Sequence, residues 1–292
     1  MPDHTTLLPP GSTVTAVAPS HRFDEDRYRS GRSTVESHGY RIVEQDGLRE
    51  RHRWFAGTDE HRLTALKRAF ARPDSDAVWA VRGGSGMTRI LPHLDFNDLV
   101  IKPIIGFSDL TPLLDQIARA GGTAIHGPVL HSLPSTDPTS VRHLFDLLAG
   151  RAVAPMPGRT MVAGAARGPL VGGNLCMLAS TCGTPFQLDA RGCILVIEEV
   201  GEPLYRVDRM LQQLVSAGVF RDVIGVAVGA FTGCGAHGDS LLDDVLDDHL
   251  DPLNVPVTRD LPIGHGAENR AWIVRSTGEL RDGALVLAST VG

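Results

Sequence analysis

Residues 102–111, KPIIGFSDLT, contain the local pattern that decides the fold of the first half of the chain. An apolar strand ends at Gly106, Ser108 follows two residues later, and apolar side chains then recur at helical spacing. A strand, a sharp turn with serine and a helix are the layout of a nucleophile elbow, although the final glycine of G-x-S-x-G is absent. The helix N-terminus directs N–H groups and a partial positive charge towards an oxyanion formed there. The pattern predicts a nucleophilic serine, and a serine that only caps the helix is the alternative.

Strands and helices alternate on both sides of this turn. Strands are predicted at residues 13–18, 40–43, 77–81 and 101–105, with helices over 24–37 and 59–71 between them. Strands separated by helices are typical of a parallel sheet covered on both faces, in which ligands bind at the carboxyl ends of the strands. The loops after Ala18, Val81 and Ile105 are therefore expected to carry the site.

The composition changes between residues 133 and 168, where segments rich in proline and glycine surround one helix. We predict an α/β domain over residues 1–150, a linker over 151–168 and a strand-rich domain over 169–292. Strands of this second domain are predicted at 193–200, 223–231, 255–259, 272–275 and 284–288, with helices at 205–217 and 240–250. A length of 292 residues is in keeping with about two domains.

The composition excludes several classes of protein. A net charge of −6 and an aromatic content of 5% argue against a nucleic-acid-binding protein. There is no apolar run of about 18 residues for a membrane span, and the N-terminus lacks the pattern of a secretion signal, so a cytoplasmic protein is expected. The four cysteines match no zinc pattern. We expect no metal site, because the aspartates of one predicted helix are typical of a solvated face: Asp239, Asp243, Asp244, Asp247, Asp248 and Asp251.

A glycine loop, VRGGSGMTRI at residues 81–90, follows the third predicted strand. Its three glycines allow the backbone to approach a bound group closely. The loop lacks the spacing of a phosphate-binding motif. We predict that Gly83 or Gly84 supplies a second N–H group for the oxyanion. Ser85 is a rival nucleophile, but no apolar helix starts directly after it.

A serine nucleophile needs a general base, and the base needs an acid that orients it. His265 is the preferred base because glycines flank it in LPIGHG; His126 is the alternative, and His237 is expected to be exposed. The acid is sought in ILVIEEV at residues 194–200, where Glu198 and Glu199 end an apolar strand. Alternation sends the two carboxylates to opposite faces, so we expect one to point inward and the other to meet solvent. Two solvated charges are the alternative.

Six ordered blocks, spread over nearly the whole length, resemble the LD-carboxypeptidases, which are serine peptidases of the bacterial cytoplasm. The blocks are PPGSTVTAVAPS, AVRGGSGMTRILPHLD, KPIIGFSDLT, GGNLCMLASTCGTPF, ILVIEEVGEPLYRVDRMLQQL and LPIGHG. The order and spacing of all six are far more specific than any one block.

The resemblance implies a flavodoxin-like α/β domain followed by a smaller strand-rich domain of the swivelling β/β/α type. Ser108 would be the nucleophile, Glu198 the orienting acid and His265 the general base. The substrate would be the tetrapeptide of recycled murein, cut between an L-centred diamino acid residue and the terminal D-alanine. Members of the family use no metal or cofactor, and homodimers are usual.

The resemblance also implies roles for residues around the nucleophile. The oxyanion would meet the N–H of Asp109 and one from the stretch 83–84. Apart from the resemblance, a carboxypeptidase must bind the free carboxylate of its substrate through a cation or a nest of N–H groups, and Arg82 and Arg89 are the candidate cations. Ser85 stands where the family often has an aromatic residue, so it is expected to line a more open or more polar substrate-binding rim.

Two other functions remain open at this stage. A sister branch of the same fold cleaves peptidyl-nucleotide antibiotics of the microcin C type. That activity would need an aromatic or basic nucleotide platform near the site, which the sequence does not locate. A catalytically inert ligand-binding homologue is the second alternative, although all three catalytic residue types are present.

Overall fold

A computed structural model describes residues 6–235 and 241–288 of the chain. Their contacts divide them into two compact units. The first unit holds residues 6–152 together with 271–273, and the second holds the other described residues. In these described ranges, no helix is both long enough and apolar enough to cross a membrane.

The strands and helices follow in chain order. The strands are β1 (Thr13–Val17), β2 (Arg41–Glu44), β3 (Ala77–Ala80), β4 (Ile104–Gly106), β5 (Ala124–His126), β6 (Met156–Pro157), β7 (Arg159–Val162), β8 (Ala166–Asn174), β9 (Ile194–Val200), β10 (Gly225–Thr232), β11 (Val257–Arg259), β12 (Trp272–Ile273), β13 (Thr277–Arg281) and β14 (Ala284–Leu287). The helices are α1 (Glu25–Ser37), α2 (Asp59–Ala71), α3 (Met87–Ile90), α4 (Thr111–Arg119), α5 (Pro138–Leu148), α6 (Leu175–Thr181), α7 (Leu204–Ser216) and α8 (Leu241–Leu250).

The first unit is built on a sheet with the strand order β12-β5-β4-β3-β1-β2. Its strands β1 to β5 pair in parallel, and the order β2-β1-β3-β4-β5 is the flavodoxin-like one. The predicted parallel sheet is therefore confirmed. The direction of winding reverses between β1 and β3, so the loops that follow these two strands flank the topological switch point.

The edge strand β12 differs from the prediction, which gave residues 272–275 to the second domain. It pairs antiparallel with β5, so that Trp272 lies opposite His126. The Trp272 side chain is fully buried, and its ring stacks on that of His126 with 5.1 Å between centroids. His143 on α5 also hydrogen-bonds the carbonyl of Ala271 through Nε2 at 2.9 Å. Burial of this aromatic surface explains why the segment joins the first sheet.

The second unit has an eight-stranded sheet, ordered β6-β14-β13-β8-β9-β10-β11-β7. Strands β8 to β11 pair in parallel, and the outer strands pair antiparallel. Residues 156–168, expected to belong to a linker, instead supply β6, β7 and the start of β8. Backbone pairing with β14 and β11 gives these short segments the hydrogen bonds that a linker would take from water.

Helix α7 shows how the core of the second unit forms. Its buried residues Val207, Leu211 and Leu214 recur at spacings of four and three, which puts them on one face of the helix. That face packs into a cluster with Leu195 and Ile197 of the central strand β9. Burial of each such side chain contributes about 1.5–3 kcal/mol. The predicted helix over 205–217 is thus confirmed within one residue at each end.

Candidate active site

Ser108 lies in the turn between β4 and α4. Its φ is +65°, in the left-handed region that residues other than glycine rarely adopt. Gly83 of the glycine loop packs directly against it, since a Cβ added at Gly83 would lie 3.0 Å from Ser108 Cβ and 3.2 Å from Oγ. Strained backbone of this kind clusters at functional sites. Ser108 therefore has the backbone conformation of a nucleophile elbow, and it lies beside the glycine loop.

Asp109 joins the turn of Ser108 to the glycine loop. Its side chain is buried, and Oδ2 accepts the backbone N–H of Met87 at 2.9 Å. Burial raises the pKa of this carboxyl group, while the Met87 hydrogen bond and the positive charge of Arg62 act in the opposite direction. The residue after Ser108 thus fixes the position of the loop that carries Gly83 and Gly84.

Arg62 on α2 is a buried cation that the sequence analysis did not single out. Its Nη1 donates to the carbonyls of Pro19 at 2.6 Å and Gly86 at 3.0 Å, and its Nη2 donates to Asp59 Oδ1 at 2.5 Å. The side chain is fully buried, so these contacts tie together the loops after β1 and β3. The signal in the sequence is its place four residues before Leu66, on the apolar face of the helix.

In the second unit, Glu198 and His265 form a hydrogen-bonded pair. Glu198 is fully buried on β9, and its Oε2 lies 2.6 Å from His265 Nδ1. Burial alone would lower the pKa of His265, but the hydrogen bond and charge of Glu198, with the charge of Glu199, raise it above its usual value. An Nδ1–H donated to a carboxylate selects the tautomer in which Nε2 can accept a proton.

The loop of His265 approaches Glu198 closely because residue 264 is a glycine. Gly264 has a φ of +118°, and a Cβ there would lie 2.7 Å from Glu198 Oε2. The buried side chain of Asn269 accepts the Gly264 N–H at 3.1 Å and closes the loop on itself. Any larger residue at position 264 would displace the carboxylate that holds the imidazole.

The expectation that one of the two glutamates meets solvent is wrong, because Glu199 is also buried. Its carboxylate accepts the N–H groups of Cys176 at 2.6 Å and Val200 at 2.8 Å, and the amide of Asn174 at 2.9 Å. Burial raises the pKa of Glu199, and these hydrogen bonds partly offset the effect. Consecutive residues of β9 point to opposite faces of the sheet and Ile194–Glu199 are all buried, so both faces of the strand are covered at this point.

The predicted substrate-binding residues lie in the glycine loop of the first unit. Arg82 is half-buried, and its Nη1 donates to the carbonyl of Arg22 at 2.7 Å. Ser85 Oγ lies 3.5 Å from His21 Nδ1. Arg89, the other candidate for carboxylate binding, contacts both carboxylate oxygens of Asp59. Its charge is thus already paired within the first unit.

The remaining candidates are placed in other surroundings or fall outside the described ranges. His126, the alternative base, is fully buried between the rings of Trp272 and Phe107. His237 and Asp239 lie outside the described residues. Among residues 6–235 and 241–288, no group of three or more His, Cys, Asp or Glu side chains is arranged to hold a metal ion.

Comparisons with known proteins identify the same family over both units. The sequence model of the LD-carboxypeptidase N-terminal domain matches residues 14–127, and that of the C-terminal domain matches residues 167–280. A murein tetrapeptide carboxypeptidase of Pseudomonas aeruginosa is 36% identical, with 96% of each chain covered. The microcin C7 self-immunity protein MccF of Escherichia coli is 23% identical over 90% of this chain and 89% of its own. The crystal structure of muramoyltetrapeptide carboxypeptidase from Oxalobacter formigenes superposes with a TM-score of 0.84 at 26% identity, covering 94% of this chain and 97% of that one.

Proposed function

Because the chain belongs to the LD-carboxypeptidase family, we propose that it is a serine carboxypeptidase that removes the terminal D-alanine of murein tetrapeptides. The scissile bond joins an L-centred diamino acid residue to that D-alanine. The 36% identical relative is named for this substrate, which supports the choice. We further expect a homodimer in the cytoplasm, where peptides from recycled murein would be available.

The observation that carries the proposal is the backbone conformation of Ser108. A polar residue held at a φ of +65° between a strand and a helix exposes its Oγ for attack on a carbonyl carbon. In the proposed reaction, the oxygen of Ser108 bonds to this carbon while His265 Nε2 takes the hydroxyl proton. The C–N bond then breaks, and the protonated imidazole gives its proton to the leaving amine of D-alanine.

The acyl-enzyme is released by the same groups. Water loses a proton to His265 and adds to the acyl carbon, and the Ser108 oxygen leaves with that proton. Glu198 stabilises the imidazolium in both halves of the reaction and keeps the tautomer correct. This role fits its full burial and its 2.6 Å contact with Nδ1.

The negative charge on the carbonyl oxygen needs donors that are already in position. We assign this role to the backbone N–H of Asp109 and to one from Gly83 or Gly84. Asp109 and the glycine loop are held together by the contact with Met87. Loss of one such donor typically lowers kcat by about 10²–10³-fold.

Replacement of Ser108 by alanine tests the proposal. The variant Ser108→Ala should release D-alanine from murein tetrapeptide at least about 10³-fold more slowly than the wild type, with its circular dichroism unchanged. Ser37→Ala, at the exposed end of α1, is the matched control and should keep full activity. Wild-type rates in Ser108→Ala would refute the assignment of the nucleophile.

A parallel assay with an aminoacyl sulfamoyl nucleoside, the class of compound bound in structures of MccF, separates the murein activity from the alternative suggested by that relative. Hydrolysis of the tetrapeptide alone supports the proposed substrate. Hydrolysis of the sulfamoyl nucleoside alone would move the chain to the antibiotic-cleaving branch. Hydrolysis of neither would favour an inert binding homologue.

A further inference from the structure

Three loops of the first unit meet at the switch point of its sheet. The His21 N–H donates to the carbonyl of Gly83 at 3.2 Å, which joins the loop after β1 to the glycine loop. The His131 N–H donates to the carbonyl of Val81 at 2.8 Å, which joins the loop after β5 to the same strand end. Ligands of open α/β sheets bind at this position.

The groups gathered here are mostly cationic. Arg82 is fixed by its hydrogen bond to the carbonyl of Arg22. Arg27, in the first turn of α1, donates through Nε to the carbonyl of His131 at 3.2 Å and through Nη2 to Ser135 Oγ at 2.7 Å. A guanidinium has five N–H donors, and the contact with Arg22 uses one of those of Arg82.

The positive charges at this point are not balanced within the described part of the chain. No carboxylate among residues 6–235 and 241–288 lies within salt-bridge distance of Arg22, Arg27 or Arg82. Asp24, the N-cap of α1, is nearby and offsets part of this charge, but it is one carboxylate beside three guanidinium groups.

The titration of the neighbouring histidines reflects this excess of charge. Burial and the charges of Arg82 and Arg27 lower the pKa of His131 to about 4, against the opposing charge of Asp24. Burial and the charges of Arg82 and Arg22 likewise lower the pKa of His21. The pKa of Arg82 itself is lowered by burial and by the charges of Arg27 and Arg22, against the opposing charge of Asp24. A bound anion would relieve the repulsion among all of these groups.

We propose that Arg82 and Arg27, beside His131, form a binding site for the terminal carboxylate of the peptide substrate. The inference rests on the proposed function. In a carboxypeptidase, only the N and Cα atoms of the leaving residue separate the scissile carbonyl carbon from the carbon of that carboxylate, so its cation must lie close to the nucleophile. Arg82 is placed to meet this condition, because its backbone directly precedes Gly83, which packs against Ser108. A planar guanidinium also matches the two oxygens of a carboxylate.

The kinetic test compares murein tetrapeptide with its C-terminal carboxamide. We expect wild-type kcat/KM to favour the free acid by about 10–100-fold, as for a charge-assisted contact. Arg82→Gln should lose that preference because its kcat/KM falls on the free acid. Its kcat/KM on the carboxamide should stay within about threefold of the wild-type value. Arg82→Lys should recover part of the preference. Arg29→Gln, an exposed arginine on α1 paired with Glu25, is the matched control and should behave as wild type.

An equal loss on both substrates in Arg82→Gln, or no preference in the wild type, would overturn the carboxylate site. A binding experiment keeps the test independent of turnover. N-acetyl-D-alanine should raise the pKa of His131 in an NMR titration, whereas N-acetyl-D-alaninamide should not, and Arg82→Gln should abolish the shift. The same response to both compounds, or to neither, would refute the site. If wild type cleaves neither peptide, the proposed function fails and this titration still decides the inference.

Discussion

The carboxylate of Asp109 accepts the backbone N–H of Met87 at 2.9 Å, so the side chain next to Ser108 holds the glycine loop in place. The backbone and the side chain of one residue thereby serve two purposes in the proposed site. The N–H of Asp109 is the proposed donor to the oxyanion, and its carboxylate fixes the loop that would supply the second donor. The geometry of the two donors thus depends on a buried contact rather than on a flexible surface loop.

Removal of this carboxylate should therefore affect both stability and rate. Asp109→Ala leaves the Met87 N–H buried without its acceptor, which should lower the free energy of unfolding by about 1–3 kcal/mol. It should also lower kcat by about tenfold or more, because the glycine loop loses its anchor. Asp109→Asn keeps an acceptor oxygen and should lose less of both quantities. Urea unfolding and D-alanine release measure them, and a wild-type kcat in Asp109→Ala would contradict the anchoring role.

The positive φ of Ser108 predicts an unusual order of stability. Glycine adopts this conformation without strain, whereas alanine does not, so Ser108→Gly should be more stable than Ser108→Ala by up to about 1 kcal/mol. Both variants should be inactive. Ser37, in the last turn of α1, should give the opposite order, with alanine more stable than glycine. Chemical denaturation of the four variants tests this, and an alanine variant at position 108 as stable as the glycine variant would show that no strain is stored there.

Gly83→Ala should impair the reaction while the protein stays folded. The new Cβ would lie 3.0–3.3 Å from Ser108 and from the carbonyl of Phe107, so the turn must shift by a few tenths of an ångström. We expect kcat to fall by about 10²-fold, as for a displaced oxyanion donor. Gly183→Ala is the control, since its φ of +74° makes it strained but no atom lies within 4 Å of the added Cβ. That variant should lose about 1 kcal/mol of stability and keep its activity; the prediction fails if both variants retain full kcat.

The pKa of His265 predicts the acid limb of the pH profile. The base must be neutral, and its pKa is raised above 6.5, so kcat/KM should rise with pH through a midpoint above that value. Glu198→Gln removes the charge that raises this pKa. The midpoint should therefore move to lower pH, and kcat should fall by about 10²–10⁴-fold. A midpoint that stays in place in Glu198→Gln would show that another group controls the profile.

The same pKa shift has a defined effect on stability. Because the folded pKa of His265 is raised, its contribution is fully present below the unfolded value of 6.5 and is lost as the pH rises through the folded pKa. The difference in unfolding free energy between wild type and Glu198→Gln should therefore become smaller over that interval. Urea unfolding of both proteins at pH values below and above this interval measures the change. A difference in unfolding free energy that does not vary with pH would rule out the linkage.

Much of the first unit could be predicted from sequence, because its strands and helices differ in hydrophobic period. The helix over 59–71 has the predicted bounds, and the parallel sheet follows from the alternation of strands and helices. The pairing of β12 with the first sheet could not be predicted. Two residues are too few to show a hydrophobic period, and the partner strand β5 lies far away in the sequence. Pairing between distant segments is decided by packing rather than by local propensity.

The structure around the candidate site could be predicted where local backbone geometry carries the signal. The turn at Ser108 and the close approach of Gly83 both follow from short motifs. The burial of Glu199 was missed, since alternation along a strand assigns faces but does not tell whether both faces are covered. Arg62 was missed because a charged residue on a helix is normally placed at the surface, so its position on the apolar face of α2 did not by itself predict burial.

The assignment of β12 to the first unit has a consequence for protein engineering. Residues 271–273 fall within the stretch matched by the C-terminal domain model, yet they complete the sheet whose strand β4 leads into the Ser108 turn. A chimaera that joins residues 1–152 to the second half of another relative would receive a foreign edge strand against His126. Exchanges between members of this family should therefore transplant residues 271–273 together with the N-terminal half.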